Sequence, residues 1–284
     1  MQRLIHLNGQ IIPASDAGIE LSNRAFRYGD GLFETIRLTK GKALFFPLHY
    51  SRFVLGMNTL QYEIPEDWAI RTLQDWIENL AEEAGIENGR VRMTAWRTGA
   101  GLYTPEALSP ELLIEISAMD GPWYTWPKNG IKVDLSEGVQ VGTAPWESVK
   151  KNSAIPYVLA AIEREKRGVD ELLLCNQAGR LVEATSSNIH VWLDGKLITP
   201  PEEEGGIPGV MSRVLIKIAR REGIRTERRP LELKDLAQAK ELFLTNVISG
   251  MRWVESYRDK KFANDFAFGL FGKLEEKVLR EISK

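Results

Sequence analysis

Three groups of residues in the second half of the chain have the types and the order of a site for a phosphorylated, nitrogen-containing aldehyde. Lys150 and Lys151 begin one segment, Glu183 opens the run 183–188, and the sequence Ile-Pro-Gly-Val at 207–210 precedes an apolar-periodic segment. A lysine amine can form a Schiff base with an aldehyde, and a carboxylate can hold a protonated ring nitrogen. The backbone N–H groups at a helix N-terminus can receive a phosphate. Together, these groups indicate pyridoxal phosphate chemistry.

Each of these features is common when it is taken alone. Adjacent lysines are most often solvated loop residues, and a Pro-Gly pair often merely caps a helix. Lys150, however, lies between Trp146 and the apolar run 155–160, where partial desolvation would favour the neutral, nucleophilic amine. Glu183 follows a strand-like apolar pair, and burial of its carboxylate would require a positive partner such as a pyridinium. Their joint order and spacing support the cofactor hypothesis.

The composition predicts an ordinary soluble globular protein of two domains. The 284 residues are 43% hydrophobic and 27% charged, with a net charge of −2, which predicts neither a nucleic-acid surface nor a polybasic membrane patch. No apolar run approaches the roughly 18 residues of a membrane span, and the first residues lack the features of a signal peptide, so a cytoplasmic location is expected. The single cysteine, Cys175, is expected in the core, and no spacing suits zinc or another metal.

The pattern of the first half predicts an α+β domain. Apolar alternation and turn signals predict a hairpin over 4–12 and strands over 33–38, 43–46, 91–95 and 112–118. Proline starts and helical spacing predict one helix from Pro47 to about Leu60 and a second helix from Pro65 to about Ala84, ended by Gly85. The strands with two helices between them are typical of an α+β fold.

A stretch rich in proline and glycine over 120–130 predicts an interdomain linker, with domains at 1–119 and 131–284. The second domain is expected to hold strands over 131–135, 171–175, 180–184 and 188–193, with a hairpin turn at Asp194-Gly195. Helices are predicted over 156–166, 209–223 and 263–282. A strand, a short helix and two further strands are expected between the last two of these helices.

At this point the chain resembles the class IV, or fold-type IV, pyridoxal-phosphate-dependent aminotransferases over nearly its whole length. That family includes D-amino acid transaminases, branched-chain aminotransferases and aminodeoxychorismate lyase. The block Gly-Asp-Gly-Leu-Phe-Glu-Thr at 29–35 and His49-Tyr-Ser-Arg52 are close to two blocks of the family. In the second half, 168–173, 183–188, Thr199-Pro200 and Pro208-Gly209 follow in the family's order.

The resemblance implies a fold and a set of roles. The fold is a smaller N-terminal α+β domain and a larger C-terminal domain with a mixed sheet or barrel-like core, with pyridoxal 5′-phosphate between them. Lys150 forms the Schiff base and then moves a proton, and Glu183 keeps the ring nitrogen protonated. The other expected cofactor contacts are Arg52 and the N–H groups of Val210, Met211, Val247 and Ile248 for the phosphate, with Ile207 against the ring face and Asn188 nearby.

One departure from the family concerns the lysine itself. The family usually carries an asparagine three residues after the reactive lysine, whereas this chain has Ser153 there and Asn152 one residue earlier. The following segment aligns best with Lys150 as the reactive residue. Lys151 stays the alternative amine.

The residues for the substrate carboxylate match no single member of the family. D-amino acid transaminases place Arg-x-His in the loop that follows the strand ending here at Arg97, and the loop 98–106 contains neither residue. Arg27, beside Phe26 in a block whose aromatics line the pocket in relatives, is the substitute anchor, or else a surface or interface salt bridge. Arg180 is a second candidate. Tyr103 would hydrogen-bond the carboxylate, line the pocket or simply pack.

The sequence therefore predicts a transaminase that moves an amino group between an amino acid, with D-amino acids preferred, and a 2-oxo acid such as 2-oxoglutarate or pyruvate. An L-branched-chain aminotransferase and the pyruvate-releasing aminodeoxychorismate lyase are the alternatives. A cofactor-binding or regulatory protein without turnover is a further class that fits the residues. The resemblance also implies a homodimer, because in the family the N-terminal block and the loop 97–106 reach the partner's active site.

Overall fold

The computed structural model describes residues 3–121 and 123–283. The chain divides into two compact units. The first consists of Met1–Trp123, Val149–Ser153 and Glu281–Lys284, and the second of Tyr124–Ser148 and Ala154–Arg280. Each unit has its own sheet and its own apolar core. Among the residues described, no helix is both long enough and apolar enough to cross a membrane.

The first unit is an antiparallel sheet with helices packed against it. Its elements are β1 (Leu4–Leu7), β2 (Gln10–Pro13), α1 (Arg24–Tyr28), β3 (Gly31–Thr39), β4 (Lys42–Ala43), α2 (Phe46–Thr59), α3 (Ile70–Glu83), β5 (Gly89–Arg97) and β6 (Pro110–Ala118). The strands lie in the order β2-β1-β6-β5-β3-β4, and β3 pairs with β5 from Gly31 opposite Trp96 to Leu38 opposite Gly89. The predicted α+β character of this half is confirmed.

The core of this unit follows from helical and strand periodicity. Apolar residues three and four positions apart on α2 and α3 face the sheet, where every second residue of a strand points the same way. The fully buried members are Phe46, Phe53 and Met57 on α2, Leu73, Ile77 and Leu80 on α3, and Leu32, Ile36, Val91 and Met93 on the strands. This packing fixes β3, the strand that carries the Phe-Glu-Thr block.

Two boundaries of the first half were predicted wrongly. The strand over 43–46 ends at Ala43, because Phe45 adopts a left-handed conformation (φ 55°) and Phe46 already begins α2. The helix predicted from Pro65 begins at Ile70, since Pro65–Trp68 closes as a turn in which the N–H of Trp68 donates to the carbonyl of Pro65. In both cases a local turn takes residues that the apolar pattern assigned to a regular element.

The second unit contains the remaining elements. They are β7 (Ile131–Val141), α4 (Ile155–Arg167), β8 (Glu171–Asn176), β9 (Leu181–Ala184), β10 (Ser187–Leu193), β11 (Lys196–Thr199), α5 (Val210–Arg221), β12 (Arg225–Arg228), α6 (Leu233–Gln238), β13 (Glu241–Asn246), β14 (Gly250–Tyr257), β15 (Lys260–Lys261) and α7 (Asp265–Ile282). The strand predicted over 131–135 is longer than expected and continues to Val141, with a break in register between Leu135 and Gln140.

Six strands of this unit close into a barrel-like ring in the order β10-β13-β14-β7-β8-β9, and β9 pairs again with β10. The β14–β7 and β7–β8 pairs are parallel and the other pairs in the ring are antiparallel. The predicted mixed, barrel-like sheet is therefore confirmed. Cys175 on β8 is buried, as expected, and burial raises the pKa of its thiol.

Candidate active site

The segment that carries Lys150 is held against the start of β3 by backbone hydrogen bonds. The N–H of Phe33 donates to the carbonyl of Lys150 and the N–H of Asn152 donates to the carbonyl of Gly31, each at 2.8 Å. Between these bonds, Leu32 and Lys151 form an isolated antiparallel bridge. Successive residues of an extended chain point to opposite sides, so the side chains of Lys150 and Lys151 face different surroundings.

The glycines of the Gly-Asp-Gly block make this approach possible. A Cβ at position 31 would lie 2.5 Å from Asn152 Nδ2 and 2.7 Å from the carbonyl oxygen of Ala95. At position 29 it would lie 2.9 Å from the Cβ of Ser153, and Gly29 also has a left-handed backbone with φ +65°. Any larger residue would push the lysine segment away from β3.

The amine of Lys150 lies over the ring of Phe33. Its Nζ is 4.4 Å from the ring centroid, and the guanidinium carbon of Arg92 is 3.8 Å from the same centroid. Contacts of this kind attract each cation by about 0.5–2 kcal/mol. Phe33 therefore helps to position both the Lys150 amine and the Arg92 guanidinium.

A cavity of about 440 Å³ lies beside Arg92 in the first unit. Asn152 and Trp96 line it together with Arg92, and its remaining wall includes Phe26 and Leu113. Burial lowers the pKa of the Arg92 guanidinium, which nevertheless stays charged at neutral pH because arginine titrates far above that range. The lining of the cavity thus combines one cation, two carboxylates (Glu20 and Glu115) and several apolar side chains.

Glu34, His49 and Arg52 form a buried charged cluster in the first unit. Their relative exposures are 1%, 0% and 7%. The carboxylate of Glu34 accepts from Arg52 Nε at 2.7 Å and Arg52 Nη2 at 2.5 Å, and His49 Nδ1 lies 2.7 Å from Glu34 Oε2. This two-pronged pairing fixes the guanidinium plane of Arg52, the residue predicted to contact phosphate.

The charges of this cluster are well defined. Burial alone would raise the pKa of Glu34, but Arg52 and His49 outweigh it and lower the pKa to about 2. Burial lowers the pKa of His49, with the Glu34 carboxylate opposing it and Arg52 and Lys150 adding to it. His49 is therefore neutral at neutral pH and donates from Nδ1 to Glu34. Its Nε2 is then an acceptor, and it has no hydrogen-bond partner among the residues described.

Glu183 lies on β9 in the wall of the second unit's ring and is 3% exposed. Its Oε1 accepts from the hydroxyl of Tyr157 at 2.5 Å, and its Oε2 accepts from the backbone N–H of Ile207 at 3.1 Å. Donors to both oxygens stabilise the ionised carboxylate. The predicted burial of Glu183 is confirmed, and its position is set by α4 and by the segment before α5.

The loop before α5 is anchored by Asn188. Its Nδ2 donates to the carbonyl of Ile207 at 2.8 Å, and its side chain passes so close to Gly209 that a Cβ there would overlap it. Helix α5 then begins at Val210, with Met211 next and no side chain capping its first turn. The uncapped N–H groups of a helix start suit an anion.

Val247 and Ile248, whose N–H groups were predicted to contact the phosphate, directly follow β13, which pairs with β10 in the ring. The carbonyl of Val247 accepts from the hydroxyl of Tyr124 at 2.7 Å, whereas the N–H of Ile248 donates to Asn246 Oδ1 at 3.0 Å. Asn246 Nδ2 in turn donates to Ser187 Oγ at 3.0 Å. This loop is therefore tied to β10, and one of its two predicted phosphate donors already has a partner within the loop.

The predicted substrate residues are divided between the two units. Arg27 on α1 is exposed, and its Nε donates to the carbonyl of Leu21 at 3.0 Å. Tyr103 is 90% exposed, and Phe26, 73% exposed, lines the cavity that Arg92 also lines. Arg180, in the second unit, pairs with the buried Glu204 at 2.5 Å. Of the two predicted arginines, neither lines the Arg92 cavity.

The sequence reasoning missed five residues of these clusters. Phe33 and Glu34 belong to the Gly-Asp-Gly-Leu-Phe-Glu-Thr block and His49 begins the His-x-x-Arg block. The resemblance to the family therefore included these residues, but no role was predicted for them. Arg92 alternates with Val91 and Met93 in a strand pattern, and an arginine with that period signals only which face of the sheet it occupies. Tyr157 gave no signal beyond helix periodicity.

The model of the family described as amino-transferase class IV matches residues 31–257. This chain belongs to the class IV aminotransferase family. A putative branched-chain-amino-acid aminotransferase of Methanocaldococcus jannaschii is 30% identical over 249 residues, covering 85% of this chain and 83% of that protein. An aminodeoxychorismate lyase of Vibrio harveyi is 28% identical over 256 residues, covering 88% and 92%. D-alanine aminotransferases are also among the relatives.

The fold agrees with this assignment. The solved structure of a branched-chain aminotransferase from Thermoproteus uzoniensis with norvaline matches with a TM-score of 0.86 at 20% identity, covering 99% of this chain and 98% of that one. A branched-chain amino acid aminotransferase solved with pyridoxamine 5′-phosphate matches with a TM-score of 0.88 at 22% identity, covering 99% and 95%.

The cofactor of the family, and of this chain, is pyridoxal 5′-phosphate. Within the second unit, a buried carboxylate at Glu183 suits its ring nitrogen and the uncapped start of α5 suits its phosphate. No group of side chains that could hold a metal ion occurs among the residues described.

We expect Gly31→Ala to reduce the free energy of unfolding by about 1–3 kcal/mol, because the new methyl group overpacks the contact with Asn152 and the carbonyl of Ala95. Gly18→Ala is the control, since a Cβ at Gly18 meets nothing within 4 Å; its effect should stay within about 0.5 kcal/mol. Urea denaturation measures both. Equal effects of the two substitutions would contradict the close approach.

Glu34→Gln should destabilise the protein by about 3–5 kcal/mol at neutral pH, because it leaves the buried guanidinium of Arg52 without its counter-charge. The control Glu276→Gln removes an exposed partner of Arg280 and should cost no more than about 1 kcal/mol. The pKa of Glu34 is lower in the folded chain than its ordinary 4.5. Its stabilisation is therefore complete above that value and is lost as the pH falls towards about 2. The free energy of unfolding, measured as a function of pH, should therefore lack the decrease contributed by Glu34 when residue 34 is glutamine.

Proposed function

We propose that this protein is a transaminase that moves an amino group between an amino acid and a 2-oxo acid. The observation that carries the proposal is the Glu183 carboxylate, buried in the ring wall and held by two donors. Donors to both oxygens favour the ionised form of this carboxylate, and an ionised carboxylate beside the ring would keep a pyridine nitrogen protonated. When bound, a pyridine ring that stays protonated draws electrons from the substrate Cα and so weakens the Cα–H bond.

Lys150 is the proposed reactive amine and proton carrier. With the cofactor bound, its amine would take the proton from the substrate Cα as general base and then act as the acid, and such a group contributes about 10²–10⁴-fold to the rate. Phe33 holds its Nζ from one side, and the hydrogen bonds to β3 hold its backbone. The position of Lys150 Nζ over Phe33, and its electrostatic effect on the buried His49, support Lys150 over Lys151.

Arg52 and the start of α5 are the proposed phosphate donors. Glu34 engages Nε and Nη2 of Arg52, so the cationic fork is oriented before any ligand arrives. The backbone N–H groups of Val210 and Met211 belong to a helix turn that has no side-chain cap. Ile207, whose backbone is fixed by Glu183 and Asn188, is proposed to support the face of the ring.

For the substrate, we propose a monocarboxylic amino acid with an apolar side chain, with L-branched-chain amino acids first. Among the described residues that line the cavity, Arg92 is the one cation and suits one carboxylate, whereas Glu20 and Glu115, which also line it, disfavour a second carboxylate on the substrate. The similarity to a putative branched-chain enzyme at 30% identity supports this choice.

The D-amino acid preference predicted from the sequence depended on a carboxylate anchor at Arg27 or, second, at Arg180. Arg27 is exposed and donates to the carbonyl of Leu21, and Arg180 pairs with Glu204. D-Amino acid transfer stays an alternative, as does the lyase reaction.

We also propose that the protein acts as a homodimer. Several large apolar side chains on and around α1 are strongly exposed, which is unusual for a contiguous monomer surface. They are Ile19 (66%), Leu21 (80%), Phe26 (73%), Leu102 (76%) and Tyr103 (90%). Arg24 ties this region together, since its Nη1 donates to the carbonyl of Leu102 at 2.5 Å and its Nε pairs with Asp30.

Lys150→Ala should abolish covalent attachment of pyridoxal phosphate and reduce turnover by about 10²–10⁴-fold, because the general base is removed. The neighbouring Lys151→Ala is the matched control and should keep both properties. Borohydride reduction followed by peptide mass spectrometry locates the modified residue, and steady-state kinetics measures turnover. Cofactor fixed at Lys151 with full activity in Lys150→Ala would contradict the assignment.

Transamination of L-leucine with 2-oxoglutarate should be faster than that of D-alanine. Arg92→Met should raise KM for L-leucine by about tenfold or more, since a charged hydrogen bond to the carboxylate is worth about 1.5–3 kcal/mol. The exposed Arg90→Met on the same strand should leave KM unchanged. Keto acid from D-alanine alone would favour the D-specific alternative. Pyruvate released from aminodeoxychorismate without an amino acceptor would favour the lyase.

A further inference from the structure

Tyr157 contacts the carboxylate that the proposed function places against the cofactor nitrogen. Its hydroxyl donates to Glu183 Oε1 at 2.5 Å, a short distance for a hydrogen bond between a phenol and a carboxylate. Tyr157 stands in the first turn of α4, directly after Pro156. Glu183 stands on β9. The bond therefore joins a helix to the ring wall at the carboxylate itself.

Packing explains the ring of Tyr157 but not its hydroxyl. The aromatic ring rests on a small apolar cluster that includes Ala160, Leu174 and Val182, and phenylalanine would fill the same space. The hydroxyl is a different matter, because an apolar environment makes a polar group costly unless it is bonded. Burial first, and then the carboxylates of Glu183 and Glu147, raise the pKa of Tyr157 far above its ordinary value. Tyr157 is thus a permanent donor.

We infer that Tyr157 is a positioning residue that keeps the negative charge on Glu183 and so keeps the shared proton on the cofactor's ring nitrogen. This inference rests on the proposed function. Two bases, the carboxylate and the pyridine nitrogen, compete for one proton across their hydrogen bond. A donor to either oxygen of the carboxylate stabilises its ionised form and therefore favours the proton on nitrogen. Ile207 gives a second such donor through its backbone N–H.

The chemistry of the pair makes a distinctive prediction for Tyr157→Phe. Without the phenol donor, the proton moves from the ring nitrogen towards Glu183, and the N–H bond lengthens while an O–H bond forms. No proton enters or leaves the solvent, because the pair keeps the one proton that it already shares. The change is therefore independent of pH over the range in which the parent pair holds that proton.

The test uses the full-length enzyme reconstituted with pyridoxal phosphate carrying ¹⁵N at the ring nitrogen. In the parent, the ¹⁵N chemical shift should be that of a protonated pyridine. In Tyr157→Phe it should move towards the neutral pyridine value by the same amount in mildly acidic and mildly alkaline buffer. The turnover number should fall by about tenfold, in keeping with the loss of one hydrogen bond to a charged group. Tyr257→Phe, which removes a phenol hydroxyl elsewhere in the second unit, is the matched control and should change neither quantity.

Glu183→Gln separates failure of this inference from failure of the proposed function. It should give the neutral-pyridine ¹⁵N shift by itself, and adding Tyr157→Phe to it should cause no further change. If Glu183→Gln moves the shift and Tyr157→Phe does not, Tyr157 is only a packing residue and the inference is overturned. An additional effect of Tyr157→Phe in the Glu183→Gln background would also overturn it. If neither substitution moves the shift, Glu183 does not pair with the nitrogen and the proposed function loses its main support.

Discussion

A carboxylate that is removed from water must be stabilised by hydrogen-bond donors or by a cation. In this chain the constraint applies to Glu183. Its carboxylate lies in the ring wall with a phenol on one oxygen and a backbone N–H on the other. These donors stabilise the ionised form of the carboxylate. Under the proposed function this carboxylate faces a cationic heterocycle, and the segment that supplies its backbone donor leads directly into the phosphate-binding helix start proposed for α5.

The first unit also buries a carboxylate, that of Glu34, and stabilises it with a charged partner. Glu34 neutralises Arg52 inside the core, and the neutral His49 completes the cluster without adding a charge. One rigid strand, β3, carries Glu34 on one side and, through Phe33 and the backbone of Gly31, holds the lysine segment on the other. The Gly-Asp-Gly-x-Phe-Glu-Thr block therefore has two structural roles. Its glycines leave room for the lysine segment, and Glu34 orients the guanidinium of Arg52.

Local signals in the sequence were enough for the elements and for the residues that stand at their ends. Period-two alternation located the strands, Pro47 and Pro208-Gly209 marked helix starts, and the apolar flanks of Glu183 indicated its burial. Contacts between residues far apart in the chain could not be predicted from such local patterns. Tyr157 and Glu183 are far apart in the chain, and only the packing of α4 against the ring brings them together. Phe45 likewise shows that one left-handed residue ends a strand that its apolar neighbours would continue.

The central claim is that Glu183 pairs with the ring nitrogen of pyridoxal phosphate. It is tested most directly by comparing the affinity of the enzyme for the natural cofactor and for an analogue with C–H in place of that nitrogen. The account predicts that the parent binds the analogue more weakly, because the buried carboxylate is left facing a C–H group, and that Glu183→Leu removes this discrimination. Equal affinities in the parent would contradict the claim.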